Sequence, residues 1–107
     1  MITKECHTFW IRIYLSGPLE VIEQTCRKNC LRDGLCVNVQ PTKYIYTGGE
    51  ETGAVVELVN YPRFPSIMEE LLKRAEALAK ELLDATYQHS VMVMTPLSTY
   101  WITKREA

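Results

Sequence analysis

Apolar and polar residues alternate from Thr8 to Leu15, with Phe9, Ile11, Ile13 and Leu15 on one side and Thr8, Trp10, Arg12 and Tyr14 on the other. A period of two is that of a β-strand with one face against a core. Ser16-Gly17-Pro18 stops the strand and opens a helix, because proline's missing N–H costs nothing in the first helical turn. From Pro18 to about Asp33 the apolar residues Leu19, Ile22, Cys26 and Cys30 recur at spacings of three and four, a narrow helical stripe. Gly34 is placed to adopt the left-handed conformation that closes a helix. Strand alternation returns from Leu35 to Tyr46, interrupted at Pro41, which marks an edge or a bulge. The turn-rich run Thr47-Gly48-Gly49-Glu50-Glu51-Thr52-Gly53 predicts a hairpin into a returning strand, Ala54 to Tyr61.

After the extended connector Pro62–Pro65, Ser66-Ile67-Met68-Glu69 has the spacing of a capping box, and a helix runs to about Thr86. Its apolar face holds Ile67, Met68, Leu71, Leu72, Ala75, Leu78, Ala79, Leu82 and Leu83, with Arg74, Ala77, Lys80, Glu81 and Asp84 opposite. Ser90 to Thr103 reads as a strand, a kink at Pro96, then more extended chain. The order strand–helix–strand–strand–helix–strand predicts an α+β, ferredoxin-like βαββαβ domain, a four-stranded antiparallel sheet with two helices on one face. The helix side takes Phe9, Ile11, Ile13, Leu15, Leu35, Val37, Val39, Ala54, Val56 and Leu58. The other side takes Trp10, Arg12, Tyr14, Asn38, Gln40, Val55, Glu57, Val59 and Tyr61, a mixture too apolar to stay fully wet. That face predicts a homo-oligomer.

Composition narrows the picture. The 107 residues fit one domain over 1–107, with an ordered core of about 8–103. Twelve basic against 13 acidic residues give a net charge of −1, which argues against a nucleic-acid binder. No apolar run has the length of a membrane helix, and the polar Met1–Thr8 segment is unlike a signal peptide, so a cytoplasmic setting with four reduced cysteines is expected.

The run from Gly34-Leu35-Cys36-Val37 through Tyr44-Ile45-Tyr46-Thr47-Gly48 to the strand holding Glu57 resembles the CutA divalent-cation-tolerance proteins, as does the tail Val91–Pro96 followed by Tyr100-Trp101-Ile102. The segment from Tyr61 to Pro65 departs from that pattern. The resemblance implies a trimer of ferredoxin-like subunits with the architecture of PII-type signalling proteins. Since PII-like proteins bind nucleotides between subunits, it also implies a nucleotide-like ligand in such a cleft.

Cys26 and Cys30, one turn apart on the helix stripe, are expected as small core residues rather than half of a metal site completed by Cys36, Cys6, His7 or His89. At Asn60–Ser66 a helix start meets Arg63, a combination suited to an anion or to a plain proline-framed connector. Glu50 and Glu51 at a hairpin tip read as solubilising. There is no phosphate-binding glycine motif and no nucleophile–histidine–acid set, and His7 and His89 sit in ordinary polar contexts, which points away from catalysis. The sequence therefore predicts a non-enzymatic, oligomeric binding module for a small anionic or nucleotide-like ligand at a subunit cleft, contacted by Tyr44, Tyr46, Glu57, Tyr61 and Arg63. It assigns no cofactor, metal ligand or membrane contact. Two alternatives stand beside it: a CutA-like divalent-metal handler, and a phage or prophage accessory protein that binds a partner protein.

Overall fold

The computed structural model describes residues 1–105. The element order is β1 (Trp10–Ser16), α1 (Leu19–Asp33), β2 (Asn38–Tyr46), β3 (Gly49–Val59), α2 (Met68–Ala85), β4 (Ser90–Met94) and β5 (Thr99–Thr103). The strands form one antiparallel sheet in the order β2-β3-β1-β4-β5. The βαββαβ core is thus present, with a fifth strand added at one edge. The extended tail predicted around Pro96 is in fact a hairpin. Thr95 accepts N–H bonds from Leu97 (3.1 Å) and Ser98 (2.9 Å) on its hydroxyl, and its own N–H donates to the Ser98 carbonyl (2.8 Å). That turn reverses the chain, and β5 pairs back onto β4 with Met92 opposite Trp101.

β1 is central, hydrogen-bonded to β3 on one side and β4 on the other. Its inward residues Ile11, Ile13 and Leu15 join Ala54, Val56 and Leu58 of β3 and Val91 and Val93 of β4 under the helices. Six residues of α2 are buried against this layer, which makes α2 the main lid; each fully buried leucine among them contributes about 1.5–3 kcal/mol. α1 lies more loosely, burying Ile22, Cys26 and Asn29. The buried Asn29 amide donates to Glu81 of α2 (2.9 Å), and Arg32 reaches the other oxygen of the same carboxylate (2.5 Å), tying the two helices together.

Local signals hold unevenly. Gly34 is left-handed (φ 67°), and its N–H closes α1 on the Cys30 carbonyl. The capping box at Ser66 does not form: Ile67 is the N-cap, no side chain caps the helix, and the Ser66 hydroxyl donates instead to the Ile67 carbonyl. The Ser66 N–H is taken by Asn60 Oδ1 (2.8 Å), which pulls the serine out of the N-cap position. The hairpin turn is tighter than the sequence suggested, since β2 and β3 pair through Tyr46 and Gly49. β1 covers β3 only from Val59 to Gly53, so the last pairs of the hairpin, Lys43–Tyr46 with Thr52–Gly49, extend past it as a two-stranded arm.

Gly53, expected in the turn, is instead buried inside β3 opposite Ser16. A Cβ there would collide with the Leu15 carbonyl oxygen and lie 2.8 Å from Ser16 Cα and 2.9 Å from Tyr44 Cε2. Gly53→Ala should therefore cost about 1–3 kcal/mol of stability, read as a lower urea midpoint, because backbone cannot yield as a flexible side chain can. An unchanged midpoint would contradict this packing.

Candidate functional site

The sheet face away from the helices presents rows of side chains set by the strand register. One row runs Gln40, Val55, Tyr14, Met92 and Trp101 across all five strands. Trp101 is 61% exposed and Val59 41%, so the face is open and partly apolar; the expectation of a homo-oligomer rests on it.

At the end of β1 nearest the arm, this face deepens into a cavity of about 450 Å³. Its walls are Tyr14 and Ser16 from β1, Tyr44 and Glu51 from the arm, Gln88, His89, Ser90 and Met92 from the α2–β4 link and β4, Trp101 from β5, and Arg105. A second hollow shares Ser16, Glu51 and Gln88 and continues the cavity towards Gly17, Pro18 and Lys43. Together they form a trough, flat-ringed at one end and edged with charge at the other.

Local structure fixes each wall. Tyr44 pairs with Glu51 across the hairpin, so both point to the same face. Because Gly53 has no side chain, the Tyr44 ring can lie across it, and its hydroxyl donates to the Ala54 carbonyl (2.8 Å). Burial raises the Tyr44 pKa above the usual tyrosine value, keeping the phenol protonated as a donor. Tyr46, farther out on the arm, donates to Glu51 (3.4 Å), and the Glu51 charge raises its pKa.

The α2–β4 link is held from two directions. Thr86, the buried C-cap of α2, packs under Gly17, where a Cβ would stand 2.9 Å from its methyl. The His89 carbonyl accepts from the Lys104 N–H (2.7 Å) and the Thr103 hydroxyl (3.3 Å). Between them Tyr87 has φ 57°, the one non-glycine residue in the left-handed region among the described residues, a conformation that costs energy and persists only where the surroundings enforce it.

The residues expected from the sequence are divided among several places. Tyr44 lines the trough, and Tyr46 touches it through Glu51. Tyr61 and Arg63 line a separate cavity beyond the other end of β1. Glu57 lines neither cavity: it accepts from Arg12 Nε (2.7 Å) and Asn38 Nδ2 (2.9 Å) in the middle of the open face, where the Arg12 guanidinium also stacks 4.0 Å over Trp10. Glu51, expected as a solubilising tip residue, and His89, expected in an ordinary polar context, also line the trough, as do Gln88, Trp101 and Arg105, to which the sequence assigned no site role. Only the hairpin register could have revealed Glu51, by setting it opposite Tyr44.

Cys26 is buried, and desolvation pushes its thiol up to about 12, while Cys30 is half-buried and also raised. Such thiols are poor nucleophiles at neutral pH. Among the described residues no three His, Cys, Asp or Glu side chains converge as metal ligands, and no helix is long and apolar enough to cross a membrane.

No family model and no curated protein matches the chain. Two solved structures share its fold. A phage SAM lyase in the apo state superposes with a TM-score of 0.75 at 20% identity, over 92% of this chain and 91% of that one. A phage SAM lyase in complex with S-methyl-5′-thioadenosine superposes with a TM-score of 0.66 at 21% identity, over 99% and 98%. These neighbours overturn the resemblance to CutA and PII proteins. The segments that carried it, alternating Val/Ile/Tyr strands around a Gly-rich turn, are what any hairpin with one buried face requires, so they carry little information about kinship.

The Arg12 and Asn38 bonds hold the Glu57 carboxyl below the usual carboxylate range. A lowered pKa stabilises the fold at pH values above the unfolded-state pKa, and that stability is lost as pH falls through the folded-state value. Wild type should thus exceed Glu57→Gln in stability at neutral pH, with the gap closing below about pH 4. Denaturation at a series of pH values checks this; a gap independent of pH would contradict it.

Proposed function

We propose that this chain is a lyase that binds S-adenosylmethionine (SAM) in the trough between the hairpin arm and the α2–β4 link and releases S-methyl-5′-thioadenosine. The observation that carries this is the trough itself. Tyr14, Tyr44 and Trp101 offer flat rings for a nucleobase, and Glu51 stands at the charged end for the ammonium group of the amino-acid half. Support also comes from the fold, whose solved neighbours include a phage SAM lyase holding S-methyl-5′-thioadenosine. A phage origin fits the same neighbours.

The missing nucleophile–histidine–acid set is no obstacle to this chemistry. The substrate is a sulfonium, whose departing group is a neutral thioether. The bond between sulfur and the γ-carbon of the amino-acid half breaks, and its electron pair goes to sulfur. In the same step the γ-carbon bonds, from the side opposite sulfur, to an oxygen of the substrate's own carboxylate, giving a lactone with no water consumed and no proton released. A cationic sulfur and an anionic oxygen both lose their charge, so the step speeds up as water is excluded. The chain's work is to fold the substrate into attack geometry and shield it. Tyr14, Met92 and Trp101 supply an apolar wall against which the substrate displaces water, and Glu51 accepts from the substrate's ammonium group.

Incubation with SAM should yield S-methyl-5′-thioadenosine, quantified by chromatography. Glu51→Gln should lower kcat/KM by about tenfold to a hundredfold, the worth of a charge-assisted contact, while binding of the uncharged S-methyl-5′-thioadenosine changes little. Absence of product from the wild-type chain would overturn the proposal.

A further inference from the structure

The Tyr61–Phe64 loop closes a second cavity of about 680 Å³, away from the trough. It lies where the α1–β2 link (Gly34–Cys36) meets the end of β3 at Val59 and the first turns of α2. Val59 pairs with Trp10, the first residue of β1, whereas the trough is built on the last residues of that strand.

Two features give this cavity a chemical preference. Tyr61 and Phe64 form a bridged turn, with the Phe64 N–H donating to the Tyr61 carbonyl (2.9 Å), and their rings are nearly parallel at 19° with centroids 6.2 Å apart. Both residues are more than half exposed (51% and 69%), so the paired rings are presented to solvent. Arg63 and Arg74 line the same cavity, and neither takes part in an ion pair among the described residues. The Arg63 guanidinium stands 5.2 Å over the Phe64 ring, which places the cation next to the Tyr61–Phe64 pair and leaves Tyr61 as the ring open to a ligand. Glu70 is the one carboxylate on the lining, leaving a net charge of +1.

We infer that this cavity is a second ligand site, taking a phosphate monoester whose sugar also carries a flat ring, as in a mononucleotide. A neutral ring would leave both guanidinium groups unused. A ring bearing a single carboxylate would satisfy one of them. A phosphate monoester carries nearly two negative charges at neutral pH and three acceptor oxygens, enough for two arginine forks, while the nucleotide's base covers Tyr61. Glu70 works against the phosphate and sets an upper bound on affinity. Such a site, apart from the trough, would let a nucleotide bind while the first site is occupied.

The test is titration of the whole chain with 5′-AMP by calorimetry, in the presence of saturating S-methyl-5′-thioadenosine, with adenosine and inorganic phosphate titrated separately. AMP should bind more tightly than either fragment. Arg63→Ala and Arg74→Ala should each weaken it by about tenfold or more, and Glu70→Gln should tighten it. All three positions are exposed, so thermal midpoints should hold. Trp101→Ala, which alters only the trough, should leave AMP binding intact, so failure of the lyase proposal would not be mistaken for failure of this one. No AMP binding at millimolar concentration, equal binding of adenosine or phosphate, or loss of binding in Trp101→Ala rather than Arg63→Ala would each overturn the inference.

Discussion

The central strand β1 is bonded on both edges but covered on only one face. Its inward residues Ile11, Ile13 and Leu15 are sealed beneath α2, and its outward residues Trp10, Arg12 and Tyr14 stay half-covered. Two helices are enough to dry one side of a five-stranded sheet and no more. Everything proposed for the trough depends on that asymmetry. The dry face fixes strand order and register, and the register then decides which side chains meet on the wet face. Tyr14, Met92 and Trp101 form a row because their inward neighbours must stay in the core. Gly53 connects the two faces: the close approach of β1 and β3 demands it, and its missing side chain lets Tyr44 lie over the sheet.

Most of this architecture could be read from hydrophobic period. The alternation of Phe9–Leu15 and Ala54–Leu58 assigned the inward residues of β1 and β3 correctly, and the three-four spacing located both helices. β5 was hidden because Pro96 looks like a kink, whereas the Thr95 hydroxyl organises a reversal around it. The capping box misled because a competing acceptor, Asn60, lies nearby only in the folded chain. Buried Asn29 was unreadable for a similar reason, since its partner Glu81 is on another helix.

The candidate site was less legible than the fold. Tyr44 could be chosen as an aromatic on a strand, but Glu51 looked like a solubilising tip residue and His89 like a polar connector. Each gains meaning from long-range placement: Glu51 from the arm projecting past β1, and His89 from its carbonyl being clasped by β5. Glu57 shows the converse. Its place on the open face was readable, yet Arg12 and Asn38 occupy both of its oxygens. The CutA resemblance failed on the same distinction, since short β-rich motifs report the demands of a hairpin and function resides in a site.

The most direct test of the account is backbone hydrogen exchange of the whole chain with and without saturating S-methyl-5′-thioadenosine. Ligand in the trough predicts slowed exchange in the arm around Tyr44–Thr52 and in Gln88–Met92, the two segments that wall it from opposite sides. Slowing confined to Leu35–Cys36 and Tyr61–Arg74, or no slowing anywhere, would contradict the claim that the uncovered sheet face holds the reacting ligand.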